Sequence, residues 1–207
     1  IKKYSLNHNT VIELGCFDGK ILDFLDQEPT KYLGLDANWE NGLDLAASKY
    51  QDKTNINFKL INNPNQIKVN QNDKYDLGIC METLEHVPPH MVCDYLYKLS
   101  KCINGYLIIT VPNEKGIFFL LKNLLKPKTG GKENYKYSIK DYINITLGNT
   151  NLVERDQHKG FDYEHLIYDV KKFFDVVHVS GFPVTKIIPK FLSFGIGILA
   201  KPKNICF

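Results

Sequence analysis

Val11-Ile12-Glu13-Leu14-Gly15-Cys16-Phe17-Asp18-Gly19 is the stretch on which the reading of this chain turns. A short apolar run ends in a glycine turn, and Ile21, Leu22, Phe24 and Leu25 follow at helical spacing. That pattern predicts a strand, a tight turn and a helix. A glycine turn at such a junction lets backbone N–H groups come close to a ligand.

The same rhythm continues outward. Residues 32–35, closed by Asp36, predict a second strand, and residues 40–50 a helix with Leu43, Ala46, Ala47 and Tyr50 on one face. Residues 56–61 predict a third strand, broken by Asn62-Asn63-Pro64-Asn65. Residues 75–81 predict a fourth strand. A helix over 90–101 should bury Val92, Tyr95, Leu96 and Leu99 and stop at Gly105. Residues 106–111 predict a fifth strand, ended by Pro112-Asn113. Alternating strands and helices imply a doubly wound α/β sheet with parallel strands, right-handed crossovers and helices on both faces.

The tail leaves this rhythm. Residues 117–125 predict an apolar helix, and residues 126–132 a loop of Pro, Gly and Lys. Ser138 followed by Asp141 predicts a capped helix start, with Ile139, Tyr142, Ile143 and Leu147 behind it. Asp162 can cap a further helix through Phe174, and residues 176–179 and 194–200 supply two last strands. Chain order places residues 117–161 as a lid over the carboxyl ends of the strands, within a single domain spanning 1–207.

Bulk properties exclude several classes. A length of 207 residues suits one α/β domain, and 43% hydrophobic with 24% charged residues excludes a disordered chain. A net charge of +3 does not point to nucleic acid. The cysteines Cys16, Cys80, Cys93, Cys102 and Cys206 are odd in number and lack zinc-ligand spacing. They are expected to be reduced thiols of a cytoplasmic protein. No metal site is expected. No apolar run approaches the roughly 20 residues of a membrane span, so no span is expected. The sequence opens on Ile1 rather than Met, which leaves room for a leading segment.

An acidic residue at the end of a second strand accepts hydrogen bonds from ribose hydroxyls. Asp36 follows Gly15 by about twenty residues, the interval for that task. The dinucleotide pattern Gly-x-Gly-x-x-Gly is absent, which argues against a nicotinamide-dependent oxidoreductase. Glu13 lies inside the first strand, where a carboxylate is costly unless a cationic ligand or the turn's amides satisfy it.

Residues 11–19 are similar to motif I of the class I S-adenosylmethionine-dependent methyltransferases, and Tyr32-Leu33-Gly34-Leu35-Asp36 is similar to their second motif. Tyr75-Asp76-Leu77-Gly78-Ile79-Cys80-Met81-Glu82-Thr83-Leu84-Glu85-His86-Val87 resembles the fourth-strand motif of the small-molecule branch, the type 11/23-like enzymes. Gly105-Tyr106-Leu107-Ile108-Ile109-Thr110-Val111-Pro112-Asn113 resembles the fifth-strand motif. The resemblance spans residues 10–113 with four motifs in order. It implies a Rossmann-like seven-stranded sheet, mostly parallel with an antiparallel last strand.

The resemblance also implies roles. Glu13 would take the methionine amino group of S-adenosylmethionine. Gly15, Cys16, Phe17 and Gly19 would line the methionine and ribose, and Asp36 would bind the ribose hydroxyls. Asn62 would meet the adenine amino group, with Met81 and Glu82 beside the cofactor. Phe17 stands where the family commonly has glycine, so a less tight turn is expected. Asn63, adjacent to Asn62, competes for the adenine position.

Methyl transfer needs in-line placement of a nucleophile and often a base for its proton. Histidine suits that base near neutral pH. His86 follows the fourth strand. His158 and Tyr163 belong to a polar loop and helix start that could line an acceptor pocket, with His165 close behind. Each also has a plain structural reading, as a loop-ordering, solvated or capping neighbour. The lysines Lys126, Lys128 and Lys132 read as a solvated turn or as a phosphate contact. The leading expectation is methyl transfer to an oxygen or nitrogen of a small molecule or glycan precursor, leaving S-adenosylhomocysteine. The alternatives are a cofactor-binding module without catalysis and an RNA or protein methyltransferase.

Overall fold

The computed structural model describes residues 4–69, 74–125, 137–183, 189 and 192–203. Seven strands make one sheet: β1 (Thr10–Leu14), β2 (Lys31–Asp36), β3 (Ile56–Leu60), β4 (Tyr75–Met81), β5 (Ile103–Pro112), β6 (Phe174–Phe182) and β7 (Gly195–Pro202). Their order is β3-β2-β1-β4-β5-β7-β6. The ladders from β3 to β5 are parallel, and β7 runs antiparallel to both its neighbours. The doubly wound sheet with an antiparallel last strand is therefore as expected. The order reverses between β1 and β4, the switch point beside which open α/β sheets bind ligands.

Alternation along β1 decides what each face buries. Ile12 and Leu14 join the larger core with Leu35, Cys80, Leu107 and Ile109. That core is closed by α2 (Pro89–Cys102) and α5 (Tyr163–Phe173), through Leu96, Leu99, Leu166 and Val170. Val11 belongs to the second core, with Tyr32, Leu77 and Ile79. Each fully buried aliphatic side chain is worth about 1.5–3 kcal/mol. Asp76 ties the start of β1 to β4, since its Oδ2 accepts from the amide and hydroxyl of Thr10 at 3.1 and 2.9 Å.

Two local expectations are corrected. The segment after the first turn is not an α-helix but a five-residue 3-10 turn, Lys20–Phe24. Pro29 pushes the residue before it out of helical space, so little chain remains before β2 begins at Lys31. Ile21, Leu22 and Leu25 still pack on the second core, while Phe24 is 69% exposed. Gly105 does not stop α2 either, because it lies inside β5. A Cβ there would sit 2.0 Å from the Asp76 carbonyl oxygen, at an irregularity in the β4–β5 ladder.

The tail forms α3 (Gly116–Leu125), α4 (Ile139–Thr146) and α5. Ser138 and Asp141 make a reciprocal capping box at α4. Asp162 caps α5 by accepting from the Glu164 amide at 2.8 Å. Phe119 of α3, Ile145 of α4 and Val153 form a small third core. The stretch beyond it reaches the carboxyl edge of the sheet, where the Arg155 guanidinium donates to the Glu85 carbonyl at 3.0 Å. Cys16, Cys80, Cys93 and Cys102 are unbridged, and all but Cys93 are buried. Cys206 and the lysine loop at 126, 128 and 132 lie outside the described residues.

Candidate active site

The turn after β1 is held by its neighbour strand. The amides of Gly15 and Cys16 both donate to the Leu35 carbonyl, at 2.7 and 3.3 Å. Gly15 has φ +80°, and a Cβ on it would lie 2.0 Å from the Thr83 hydroxyl oxygen. Only glycine satisfies both conditions. Phe17 also takes a positive φ, of 45°. Its ring swings against Gly42 at the start of α1 (Gly42–Lys49), where a Cβ would meet Phe17 Cδ2 at 2.4 Å. Bulk at position 17 is thus matched by its absence at position 42.

Asp36 clamps two turns at once. Its Oδ2 accepts from the Phe17 amide at 2.9 Å and its Oδ1 from the Asn38 amide at 2.7 Å. Each carboxylate oxygen has a further lone pair for a ligand hydroxyl. Gly15, Phe17, Asp36, Asn62, Glu82 and His86 all line one cavity of about 310 Å³. Asn63 is used differently: its side chain accepts from the Asn65 amide at 3.0 Å, as the cap of a short 3-10 turn.

Glu13, Cys16, Gly19 and Met81 are not among the cavity's lining residues. Glu13 lies on the Val11 side of β1, 4% exposed, and accepts from the Tyr32 hydroxyl. Burial pushes its carboxyl up to about 7. Tyr163 is buried in the larger core with the Lys115 ammonium 4.8 Å from its ring centre. The structure does not bring it to the cavity. His165 lines a separate cavity of about 370 Å³ beside α2 and α5.

Several cavity residues escaped the sequence reading, among them Trp39, Thr83 and Tyr95. Trp39 follows a left-handed Asn38 and stands edge-on to the His86 ring, with centroids 5.6 Å apart. The only sequence signal for this was the polar run after Asp36. His86 and His158 meet edge to face at 4.6 Å. His86 Nδ1 lies 3.3 Å from Gln157 Oε1, and His158 Nδ1 lies 3.5 Å from Glu114 Oε1. Burial works to raise the Glu114 carboxyl, but the His158 contact and the Lys122 ammonium hold it below the usual range. Glu82 Oε1 accepts from the Thr110 hydroxyl at 2.9 Å, and burial raises its carboxyl. Glu85 is wholly buried, and burial pushes it up to about 8. No metal centre was expected, yet Glu85, His86 and His158 each place a ligand atom within 4.8 Å of the others.

A family model described as "Methyltransferase domain" matches residues 2–158, well over half of the chain. The chain belongs to this family. It is an S-adenosylmethionine-dependent methyltransferase domain. A curated relative, the ubiquinone biosynthesis O-methyltransferase of Hydrogenovibrio crunogenus (strain DSM 25203 / XCL-2), is 31% identical over 90 residues. That match takes in 42% of this methyltransferase and 36% of the relative, so the chain spans little over a third of the relative's length. The fold matches an S-adenosylmethionine-dependent methyltransferase from Clostridium acetobutylicum ATCC 824 with a TM-score of 0.65 at 14% identity, covering 97% of this chain and 87% of that one. It also matches a magnesium protoporphyrin IX methyltransferase from Synechocystis PCC 6803 with bound S-adenosylhomocysteine, at a TM-score of 0.55 and 18% identity, covering 98% and 78%.

The methyltransferase's own residues fit the methyl donor. Thr83 packs against the bare Cα of Gly15, which keeps the turn's backbone on the cavity wall, and the same cavity reaches the Asp36 carboxylate. A diol-bearing, amine-rich ligand needs such acceptors beside a close-approach backbone.

Proposed function

We propose that this methyltransferase moves a methyl group from S-adenosylmethionine to an oxygen or nitrogen of a small molecule or glycan precursor, as a cytoplasmic enzyme. The observation that carries this reading is the single cavity shared by Gly15, Asp36 and His86. The curated relative's name favours oxygen as the acceptor atom.

In this reading Asp36 accepts the ribose hydroxyls while keeping its two backbone contacts, and Gly15 and Phe17 lie against the donor. Asn62 offers its amide oxygen to the adenine amino group. Glu82 flanks the donor, while Glu13, Cys16, Gly19 and Met81 support the turn and strand end from outside the cavity. When bound, the cofactor supplies an electrophilic methyl group on a positively charged sulfur. His86 meets the acceptor and can take its proton, and His158, edge to face with it, fixes the ring. Within residues 117–161, the described parts, 117–125 and 137–161, would wall the acceptor side within a single domain. Tyr163 has a structural part in the core.

The test is calorimetry with S-adenosylhomocysteine and a screen for methylated products in cell extract. Saturable binding with turnover is expected. Binding without turnover would leave a ligand-binding module, and absence of binding at millimolar concentration would overturn the reading.

A further inference from the structure

We infer that Glu85, His86 and His158 form a divalent-cation site at the edge of the donor cavity. Four observations carry it. First, one oxygen or nitrogen from each of the three lies within 4.8 Å of the others, with Glu85 Oε1 4.0 Å from His86 Nε2. Two ligands each about 2.1 Å from one ion are at most about 4.2 Å apart, so small side-chain shifts close the site. Second, the Glu85 side chain is 0% exposed and neither of its oxygens has a hydrogen-bond partner among the described residues. Such a carboxylate is costly to bury without a cation or a donor.

Third, both imidazoles have an oxygen beside Nδ1, through a hydrogen bond for His86 and an ion-pair contact at 3.5 Å for His158. A ligating histidine presents its other ring nitrogen to a carboxylate or carbonyl oxygen. Here His158 Nδ1 faces Glu114 Oε1, and His86 Nδ1 faces the Gln157 side-chain oxygen. Fourth, the backbone under the site is braced. Arg155 donates to the carbonyls of Leu84 and Glu85, and the His86 amide donates to the Thr83 carbonyl at 3.0 Å.

Two imidazoles and one carboxylate select a first-row transition cation such as Mn²⁺, Fe²⁺, Co²⁺ or Zn²⁺ over Mg²⁺ or Ca²⁺. The three ligands leave positions open for an acceptor oxygen. The acceptor class is then a hydroxyl compound, whose proton a bound cation releases to water at lower pH; with the cation in place His86 holds the ion instead of taking the proton itself. The acceptor assignment rests on the reading of the cavity given above, whereas the cation site does not.

The experiment uses the whole chain, stripped with a chelator and dialysed, then titrated with Co²⁺ under visible spectroscopy and calorimetry. One cation per chain is expected, with d–d absorption of an imidazole–carboxylate environment that Zn²⁺ abolishes by displacement. Glu85→Gln and His158→Ala should each weaken Co²⁺ binding by about tenfold or more. Circular dichroism and S-adenosylhomocysteine affinity of each variant are measured alongside, because neither side chain lines the donor cavity. Absence of stoichiometric Co²⁺ binding to the parent chain, or an unchanged affinity in both folded variants, overturns the inference. Cation binding without S-adenosylhomocysteine binding would overturn the donor assignment and leave this site standing. Donor-product binding without the cation would do the reverse.

Discussion

Asp36 and Glu13 are both carboxylates at the mouth of the same turn, and their surroundings give them opposite tasks. Asp36 is half-buried, and each of its oxygens holds one backbone amide. Asp36→Asn keeps one acceptor oxygen but loses the charge and one amide partner. It should weaken S-adenosylhomocysteine by about 2 kcal/mol, some thirtyfold, in calorimetry. Glu13 is sealed beneath, and burial lifts its carboxyl from an ordinary 4.5 to about 7. Below about pH 4.5 both folded and unfolded chains carry the proton. Between about 4.5 and 7 the unfolded chain releases it first, so the folded state loses stability as pH rises through that window. The loss attributable to Glu13 is about 3 kcal/mol. Glu13→Gln keeps an acceptor for the Tyr32 hydroxyl and removes the titration. Urea unfolding at pH 5 and pH 8 should therefore show a smaller difference for the variant than for the parent.

At the scale of elements, the lead-in to α3 and the start of α5 are joined by one buried ion pair. The Lys115 ammonium lies 2.6 Å from Asp162 Oδ1, and the Thr150 hydroxyl donates to Asp162 Oδ2 at 2.8 Å. Asp162→Ala removes a helix cap and one of the two carboxylates on a largely buried ammonium, leaving Glu164 at 2.7 Å, at a cost of about 2 kcal/mol in urea unfolding. Asp162→Asn, which retains the cap, should lose less. The capping role was readable, because Asp before an amphipathic run has a local cause. The partner Lys115, 47 residues earlier, left no local trace. The same distinction explains the other elements. β1, β2 and β4 follow from apolar runs ended by glycine or an acidic residue, and their ends agree to within a residue. The Lys20–Phe24 turn was misjudged because its apolar spacing suits a helix while the short distance to β2 does not allow one. Gly105 was misjudged because its reason is the Asp76 carbonyl on a neighbouring strand.

For the molecule as a whole, alternating strands and helices predicted a doubly wound sheet, and the structure shows its order reversing between β1 and β4. Gly15 and Asp36 were candidates from their spacing and Asn62 from the family resemblance, and the fold sets all three on one cavity. The acceptor half could not be named from spacing. Glu85 stood only as part of the fourth-strand motif; its complete burial comes with distant chain, Arg155 donating to its carbonyl at 3.0 Å. Tyr163 failed as a cavity residue for the complementary reason: the helix that Asp162 starts turns its first side chain into the core.

Trp39 carries a practical corollary. It is the sole tryptophan of 207 residues, half-exposed at the wall of the cavity and in van der Waals reach of an imidazole. Emission excited selectively at the indole therefore comes from one place, the wall of the cavity proposed to take the donor. Titrating S-adenosylhomocysteine should change the intensity or shift the maximum with a single hyperbolic dependence, giving a dissociation constant without any label. An indole spectrum indifferent to saturating ligand would locate the nucleoside away from this wall. The protein comes with its own optical gauge of occupancy.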